Sequence, residues 1–272
     1  YSADSYEILY QKMKEDIILI TSYLTSLNLK LSTSKTKFMI FSYKSSAISS
    51  FTSIDVNGEL ILREKVIKYL GLLIDENLSW KQHARNVISN ITPHVSVISK
   101  IRYYLDKKDL LLYYYANVHS RWSYCLPLWQ NTSQELRSLL ERIQNKVVKY
   151  INFLPRLTPS SSLYSDTFLK ISDHMNFESL FFIYKIYSGK LKCDFQFIRN
   201  IESSQRTTRQ SNLIRTPNFI TTKAQSSIFF YGITLFNKFC IYLGNNDINL
   251  NSSLGILKKE MKKFVCISSG QQ

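Results

Sequence analysis

Apolar residues recur at spacings of three and four near the start of the chain, at Leu9, Met13, Ile17, Ile20, Leu24 and Leu27. That period puts them on one side of an amphipathic helix. Asp4 and Glu7 have the spacing of a capping box at its start, the Asp side chain accepting from first-turn amides. Lys37 to Tyr43 then reads as a strand, followed by a serine-rich polar loop opening at Lys44-Ser45-Ser46. Asn57-Gly58 separates Ser53-Ile54-Asp55-Val56 from Glu59-Leu60-Ile61-Leu62 and predicts a hairpin, because both turn positions favour positive φ. Val66 to Ile74 reads as one further strand.

From Leu78 the helical period returns. Trp80, Ala84, Val87, Ile91, Val95 and Ile98 mark one long face, with Pro93 expected to kink or interrupt it. Leu110, Tyr114 and Val118 predict a second helix, and Leu136, Leu139, Leu140, Ile143, Val147 and Ile151 a third, preceded by a capping-box pattern at Thr132 and Glu135. Pro155 and Pro159 stop that helix and mark a boundary. Asn176 is a candidate cap for Phe177 to Tyr187. Leu257, Met261 and Phe264 form the seam of a final helix whose other faces carry Lys258, Lys259, Lys262 and Lys263. The expected class is α+β, with a small antiparallel part over 1–76 and mainly helical parts over 77–155 and 156–272. Few breakers, 7 Gly and 5 Pro, agree with a helix-dominated chain, and no internal repeat is visible.

Composition adds a partner class. The 272 residues are 44% hydrophobic, enough to bury a core, and carry 35 Lys+Arg against 20 Asp+Glu for a formal charge of +15. Such a balance favours a polyanion, nucleic acid before a membrane surface, over a basic protein without such a partner. Cys125, Cys193, Cys240 and Cys266 show no zinc-type spacing and read as reduced, mostly buried thiols of an intracellular protein. No apolar run approaches the length of a bilayer span, and no signal-peptide pattern opens the chain. Position 1 is Tyr rather than Met, so the sequence reads as a fragment, from which a targeting signal could have been lost. No phosphate-cradling glycine loop, Ser-His-Asp arrangement with a local signature, endonuclease or ribonuclease H is legible.

Leu31-Ser32-Thr33-Ser34-Lys35-Thr36, Lys68-Tyr69-Leu70-Gly71 and Leu78-Ser79-Trp80-Lys81-Gln82-His83, in this order, resemble the late palm and early thumb of non-LTR retrotransposon reverse transcriptases. Arg121-Trp122-Ser123-Tyr124-Cys125-Leu126-Pro127-Leu128-Trp129 and Glu141-Arg142-Ile143-Gln144-Asn145-Lys146 resemble the post-thumb region of jockey-like and related elements. Arg206-Thr207-Thr208-Arg209-Gln210 and Gly232-Ile233-Thr234-Leu235-Phe236-Asn237 resemble the C-terminal tail, with Phe236 where the family has tryptophan. The resemblance implies a palm remnant with a primer-grip hairpin over 1–76, a thumb over 77–155 and a helical C-terminal region over 156–272. It also implies an RNA-directed DNA polymerase that extends a DNA primer on an RNA template with magnesium, acting in the nucleus.

The same resemblance assigns roles. Lys35 would neutralise or protonate the pyrophosphate leaving group, although Ser32 replaces the family's Asn and weakens the expected hydrogen bonding of that loop. Tyr69 would pack against a sugar or base, and Gly71 would allow close backbone approach to the primer. Lys81, Arg85, Lys100 and Arg102 would follow the template-primer backbone. Tyr1-Ser2-Ala3-Asp4-Ser5 is similar to the family's aromatic-Ala-Asp-Asp turn, which would make Asp4 catalytic with one metal ligand replaced by Ala3. The immediate onset of the helix favours Asp4 as a cap, with the aspartate pair upstream beside missing fingers and early palm. Either register leaves no complete metal site, so the fragment is not expected to polymerise alone. As bare chemistry Trp80 reads as core and His83 as a helix-surface hydrogen bonder. The alternatives are a non-catalytic basic nucleic-acid-binding module and a helical scaffold whose charge serves solubility.

Overall fold

The computed structural model describes residues 5–41, 52–56, 58–164, 168–193, 213–219, 221–225, 227–246, 250 and 252–269. The class is α+β, with mostly helices and, among the described residues, two two-stranded antiparallel sheets. Two compact units divide the chain, Tyr1–His83 and Ala84–Gln272.

In the first unit, α1 (Tyr6–Ser26) is capped by Ser5, whose Oγ accepts from the Ile8 amide at 3.3 Å. Ser5 therefore replaces Asp4 as the cap, and Asp4 lies outside the described residues. Tyr10, Met13 and Ile17 of α1 pack on Ile54, Val56 and Ile61 of the hairpin β1 (Ser53–Val56) and β2 (Glu59–Leu62). Its turn is closed by the Gly58 amide donating to Asp55 Oδ1 at 2.9 Å, with Gly58 at φ +83°. Of the strand read over Lys37 to Tyr43, the described part, 37–41, forms one parallel bridge, Phe38 to Arg63, and Ser42 and Tyr43 lie outside the described residues. Phe38 and Ile40 join the core through their side chains without a ladder, so the alternation reflects burial. The serine-rich loop lies outside the described residues.

Val66 to Ile74, read as one strand, is a second hairpin: β3 (Val66–Tyr69) pairs with β4 (Leu72–Asp75). Leu70 and Gly71 turn it with φ +47° and +85°, the geometry of a primed two-residue turn. A leucine seldom adopts positive φ, so its presence hid the turn from the sequence.

Helix α2 (Lys81–Ile101) runs through Pro93 without ending. Pro93 and Ser89, whose carbonyl loses its partner amide, are both exposed, so water can satisfy the freed group. Then come α3 (Lys107–Tyr114), a π-helical turn (Tyr115–His119), α4 (Ser120–Ser123), α5 (Leu126–Trp129) and α6 (Gln134–Ile151). The capping box expected at α6 does not form, for Ser133 is the N-cap and Thr132 is buried. A 3-10 turn (Ser160–Ser162), α7 (Ile171–Tyr187), α8 (Thr222–Gln225), α9 (Ile228–Asn245) and α10 (Leu254–Ser268) complete the order. Asn176 is inside α7 rather than capping it, and its Oδ1 accepts from the Tyr231 hydroxyl at 2.5 Å.

The core of the C-terminal part joins α7, α9 and α10 through Leu180, Ile183, Ile233, Phe236, Phe239, Leu257 and Met261. The seam read for the last helix is correct, with Leu257, Met261 and Phe264 all buried. Asn237 pins the segment before α8: its Oδ1 accepts from the Ile214 amide at 3.0 Å and its Nδ2 donates to the Ile214 carbonyl at 2.7 Å. Arg206 to Gln210 lies outside the described residues. Cys193 is exposed and the other three cysteines are half-buried, so the expectation of mostly buried thiols is only partly met. Among the described residues no helix is long and apolar enough to cross a membrane.

Gly232 sits where α9 meets α7. A Cβ there would stand 2.8 Å from Ile183 Cγ1 and 3.1 Å from Ile228 Cδ1. Gly232→Ala is expected to destabilise the second unit by about 1–3 kcal/mol, as overpacking does. Urea denaturation compared with wild type checks this, and an unchanged midpoint rejects the close-packing assignment.

Candidate nucleic-acid interface

The turn between β4 and α2 is organised by Asp75. Its Oδ1 accepts from the amides of Asn77 at 3.1 Å and Ser79 at 3.0 Å, and its Oδ2 accepts from the Trp80 amide at 2.9 Å and the Ser79 hydroxyl at 3.1 Å. Leu78 and Trp80 take positive φ, +50° and +59°, within this turn. His83 is buried, not on the helix surface as read, and its Nδ1 accepts from the Leu73 amide at 3.3 Å. Burial lowers its pKa, which favours the neutral ring this acceptor role needs. Trp80 is half-buried.

At the other end of the β3–β4 hairpin, Tyr69 and Leu70 are 60% and 73% exposed. An aromatic and an aliphatic side chain thus stand out at a turn whose leucine is held at positive φ. Gly71 serves that turn conformation, a different reason for the glycine than the close approach read from the sequence. Lys35 is exposed on a loop closed by the Ser32 carbonyl, which accepts from the amides of Lys35 at 3.1 Å and Thr36 at 2.9 Å. Backbone closure thus supplies order where Ser32 replaces asparagine.

On α2, Lys81, Arg85, Ser89, Thr92, Ser96 and Lys100 follow one another at spacings of three and four and are all exposed. The helix contains no acidic residue, so this stripe has no built-in repulsion toward phosphate. Arg102 is placed differently: it is half-buried, with its guanidinium 5.5 to 5.6 Å from the ring centroids of Tyr103, Tyr150 and Phe153. Cation–π contact with three rings makes it a packing residue at the end of α2.

A second basic surface brings α7 and α10 together. Phe177, Phe181 and Tyr184 form a row along α7, with near-parallel rings 6.0 and 6.4 Å apart. Lys185 and Lys258 lie over Phe181 at 4.4 and 4.8 Å, Lys262 over Phe177 at 5.9 Å, and Lys190 over Tyr184 at 5.4 Å. Glu178 lies among them. Burial raises its pKa, while Lys185 and Lys258 pull it back down. The spacing of Phe177 and Phe181, and of Lys258 and Lys262, was visible in the sequence, but the facing of the two helices was not.

At the Phe177 end of this row is a cavity of about 230 Å³. The π-helical turn lends it Tyr115 and His119, α4 lends Trp122, α6 Gln144, α7 His174 and α10 Lys262. The His119 ring lies 5.1 Å from that of His174 and 4.8 Å from that of Trp122. Tyr114 donates to Gln144 Oε1 at 3.0 Å, and burial keeps its hydroxyl protonated by raising its pKa. His174 Nε2 stands 3.6 Å from Glu178, too far for a hydrogen bond.

Burial, with help from His119 and Lys262, pushes His174 down to about 4. Its unfolded value is near 6.5, so the unfolded chain binds the proton first as pH falls. The stability contributed by the neutral ring is full above about pH 6.5 and is lost as pH drops toward 4, by up to about 3 kcal/mol. Denaturant unfolding across that window should show the loss in wild type and a smaller one in His174→Phe; equal losses reject the assignment.

Among the described residues no group of three or more His, Cys, Asp or Glu could hold a metal ion. Comparisons with protein-family models, curated proteins and solved structures found no match to this chain.

Proposed function

We propose that this chain holds template-primer nucleic acid as part of an RNA-directed DNA polymerase of a non-LTR mobile element, contributing binding rather than phosphoryl transfer. The observation that carries the binding is the convergence of Lys185, Lys190, Lys258 and Lys262 from the two sides of α7 and α10. Lysines track phosphates without reading sequence. The acid-free stripe on α2 and the net charge of +15 support the same reading. The ordered set of sequence resemblances supports the polymerase origin and a nuclear site of action.

Magnesium, implied for the intact polymerase, finds no fitting ligand set among the described residues. Asp75 commits both oxygens to the turn before α2. No catalytic step is assigned to Lys35 or Asp4 on this chain alone.

The experiment is a fluorescence-anisotropy titration of an RNA–DNA primer-template between about 50 and 200 mM salt, where log affinity should fall linearly with log salt. Lys81→Ala with Arg85→Ala should flatten that slope by up to about two, one per lost phosphate contact. An unchanged slope rejects α2 as part of the track. Absence of binding at low salt overturns the reading in favour of a helical scaffold, and magnesium-dependent primer extension by the chain alone overturns its restriction to binding.

A further inference from the structure

A different cavity, of about 230 Å³, opens where α6 and α7 begin. Gln134, Arg137 and Glu141 of α6 and Ser172 of α7 line it, with Gln130 from the end of α5. Neither N-cap, Ser133 of α6 or Lys170 of α7, makes a side-chain capping hydrogen bond, so the first-turn amides gain no partner from a cap. Gln130 is 3% exposed; its Oε1 accepts from Ser179 Oγ at 2.8 Å, and its Nε2 is buried without a hydrogen-bond partner. Turning the amide over would leave the oxygen over instead of the nitrogen, so one end of this buried group lacks a partner in either orientation. Buried polar groups are ordinarily satisfied.

The charged groups of the wall are unpaired as well. Arg137 is half-buried and its Nε is buried without a hydrogen-bond partner. Arg137 and Glu141 are one turn apart on α6, yet no ion pair among the described residues includes either of them. A half-buried guanidinium without a carboxylate, beside the positive ends of two helix dipoles, favours an oxyanion. Glu141 adds a second condition, because an ionised carboxylate can only accept: the anion must bring an O–H of its own. The other carboxylates of these first turns are Glu135, which is exposed, and Asp173, which is fully buried with Ser172 and Ser269 as partners; neither lines the cavity.

We infer that this cavity binds a protonated phosphate, its bare oxygens on Arg137 and the first-turn amides of α6 and α7, its O–H donating to Glu141, and the unpaired amide end of Gln130 bonded to it. Hydrogen phosphate and a terminal phosphomonoester, whose second pKa is about 6, both carry such a proton near neutral pH. Sulfate and the internal phosphodiesters of a nucleic-acid strand do not. The site therefore selects a phosphate that the lysines of α7 and α10 cannot distinguish from any other anion. It stands independently of the nucleic-acid reading, since free phosphate alone would fill it.

The test is isothermal titration of the full chain with inorganic phosphate and with sulfate near pH 6.5 at fixed ionic strength. Phosphate should bind about 10-fold tighter or more, the factor for one hydrogen bond to a charged group. Arg137→Ala should abolish phosphate binding. Glu141→Gln should erase the preference by admitting sulfate, because its amide can donate where the carboxylate only accepts. If Arg137→Ala fails to fold, wild type and Glu141→Gln decide. Equal affinity for the two anions in wild type, or no phosphate binding, overturns the site, as does a preference that survives in Glu141→Gln. A single-stranded oligonucleotide with a 5′-phosphate, compared with its 5′-hydroxyl form, then separates the sources: tighter binding of the phosphorylated strand, competed by free phosphate, assigns the site to a strand end, and equal binding assigns it to free phosphate. Failure of every oligonucleotide to bind while phosphate binds overturns the nucleic-acid reading and leaves this site standing.

Discussion

Replacing Lys185, Lys258 and Lys262 together by alanine should weaken primer-template binding by about 100-fold or more near 0.1 M salt and flatten the log–log salt slope by about two to three. Each ammonium that neutralises a phosphate releases about 0.9 of a condensed counterion, so one contact near 0.1 M salt is worth about an order of magnitude. The three lysines belong to two helices but converge on neighbouring rings, Phe177 and Phe181, so their contacts add along one path. Lost cation–π contacts at exposed sites cost about 0.5–1 kcal/mol each, so circular dichroism should show a folded variant. Anisotropy titrations at several salt concentrations decide the matter. A folded triple variant with the wild-type slope removes the α7–α10 row as the track.

Asp75→Ala should cost the first unit about 3–5 kcal/mol, the range for breaking a buried hydrogen-bond network. Four donors converge on this one side chain, which is 8% exposed, and three of them are backbone amides of the turn it closes. Without it, Leu78 and Trp80 have no compensation for their positive φ. The damage should spread into α2, because Ser79 Oγ also accepts from the Lys81 amide at 3.4 Å. Asp75→Asn keeps one acceptor oxygen and should lose less. Hydrogen exchange gives the direct readout: Ser79 and Trp80 amides should lose protection in Asp75→Ala, and protection equal to wild type would refute the role given to Asp75.

Periodicity alone was enough for the α+β class, the long face of α2, the seam of α10 and the first hairpin. Each rests on local signals: a repeat of three and four, or Asn-Gly between alternating runs. Where it misled, a neighbour in space had overruled the local preference. Leu70 reads as strand, but pairing between β3 and β4 forces it into a positive-φ turn. Asn176 reads as a cap, but α7 starts earlier and Asn176 accepts from Tyr231 on α9. Arg102 reads as one more phosphate contact, until the rings of Tyr150 and Phe153 from α6 and its C-terminal end enclose it.

The candidate surfaces divide in the same way. Lys81 and Arg85 were legible because both lie on one helix at a spacing that any α-helix places on one face. The lysine-bordered row and the ring-lined cavity were not, since no spacing in a linear sequence says that Lys258 and Lys262 will lie over Phe181 and Phe177, or that His119 will meet His174. Helical period is a property of consecutive residues and is written in their order. Juxtaposition of α7 with α10 follows from burying Leu180, Ile183, Leu257 and Met261 in one core, a choice made only when the whole chain packs.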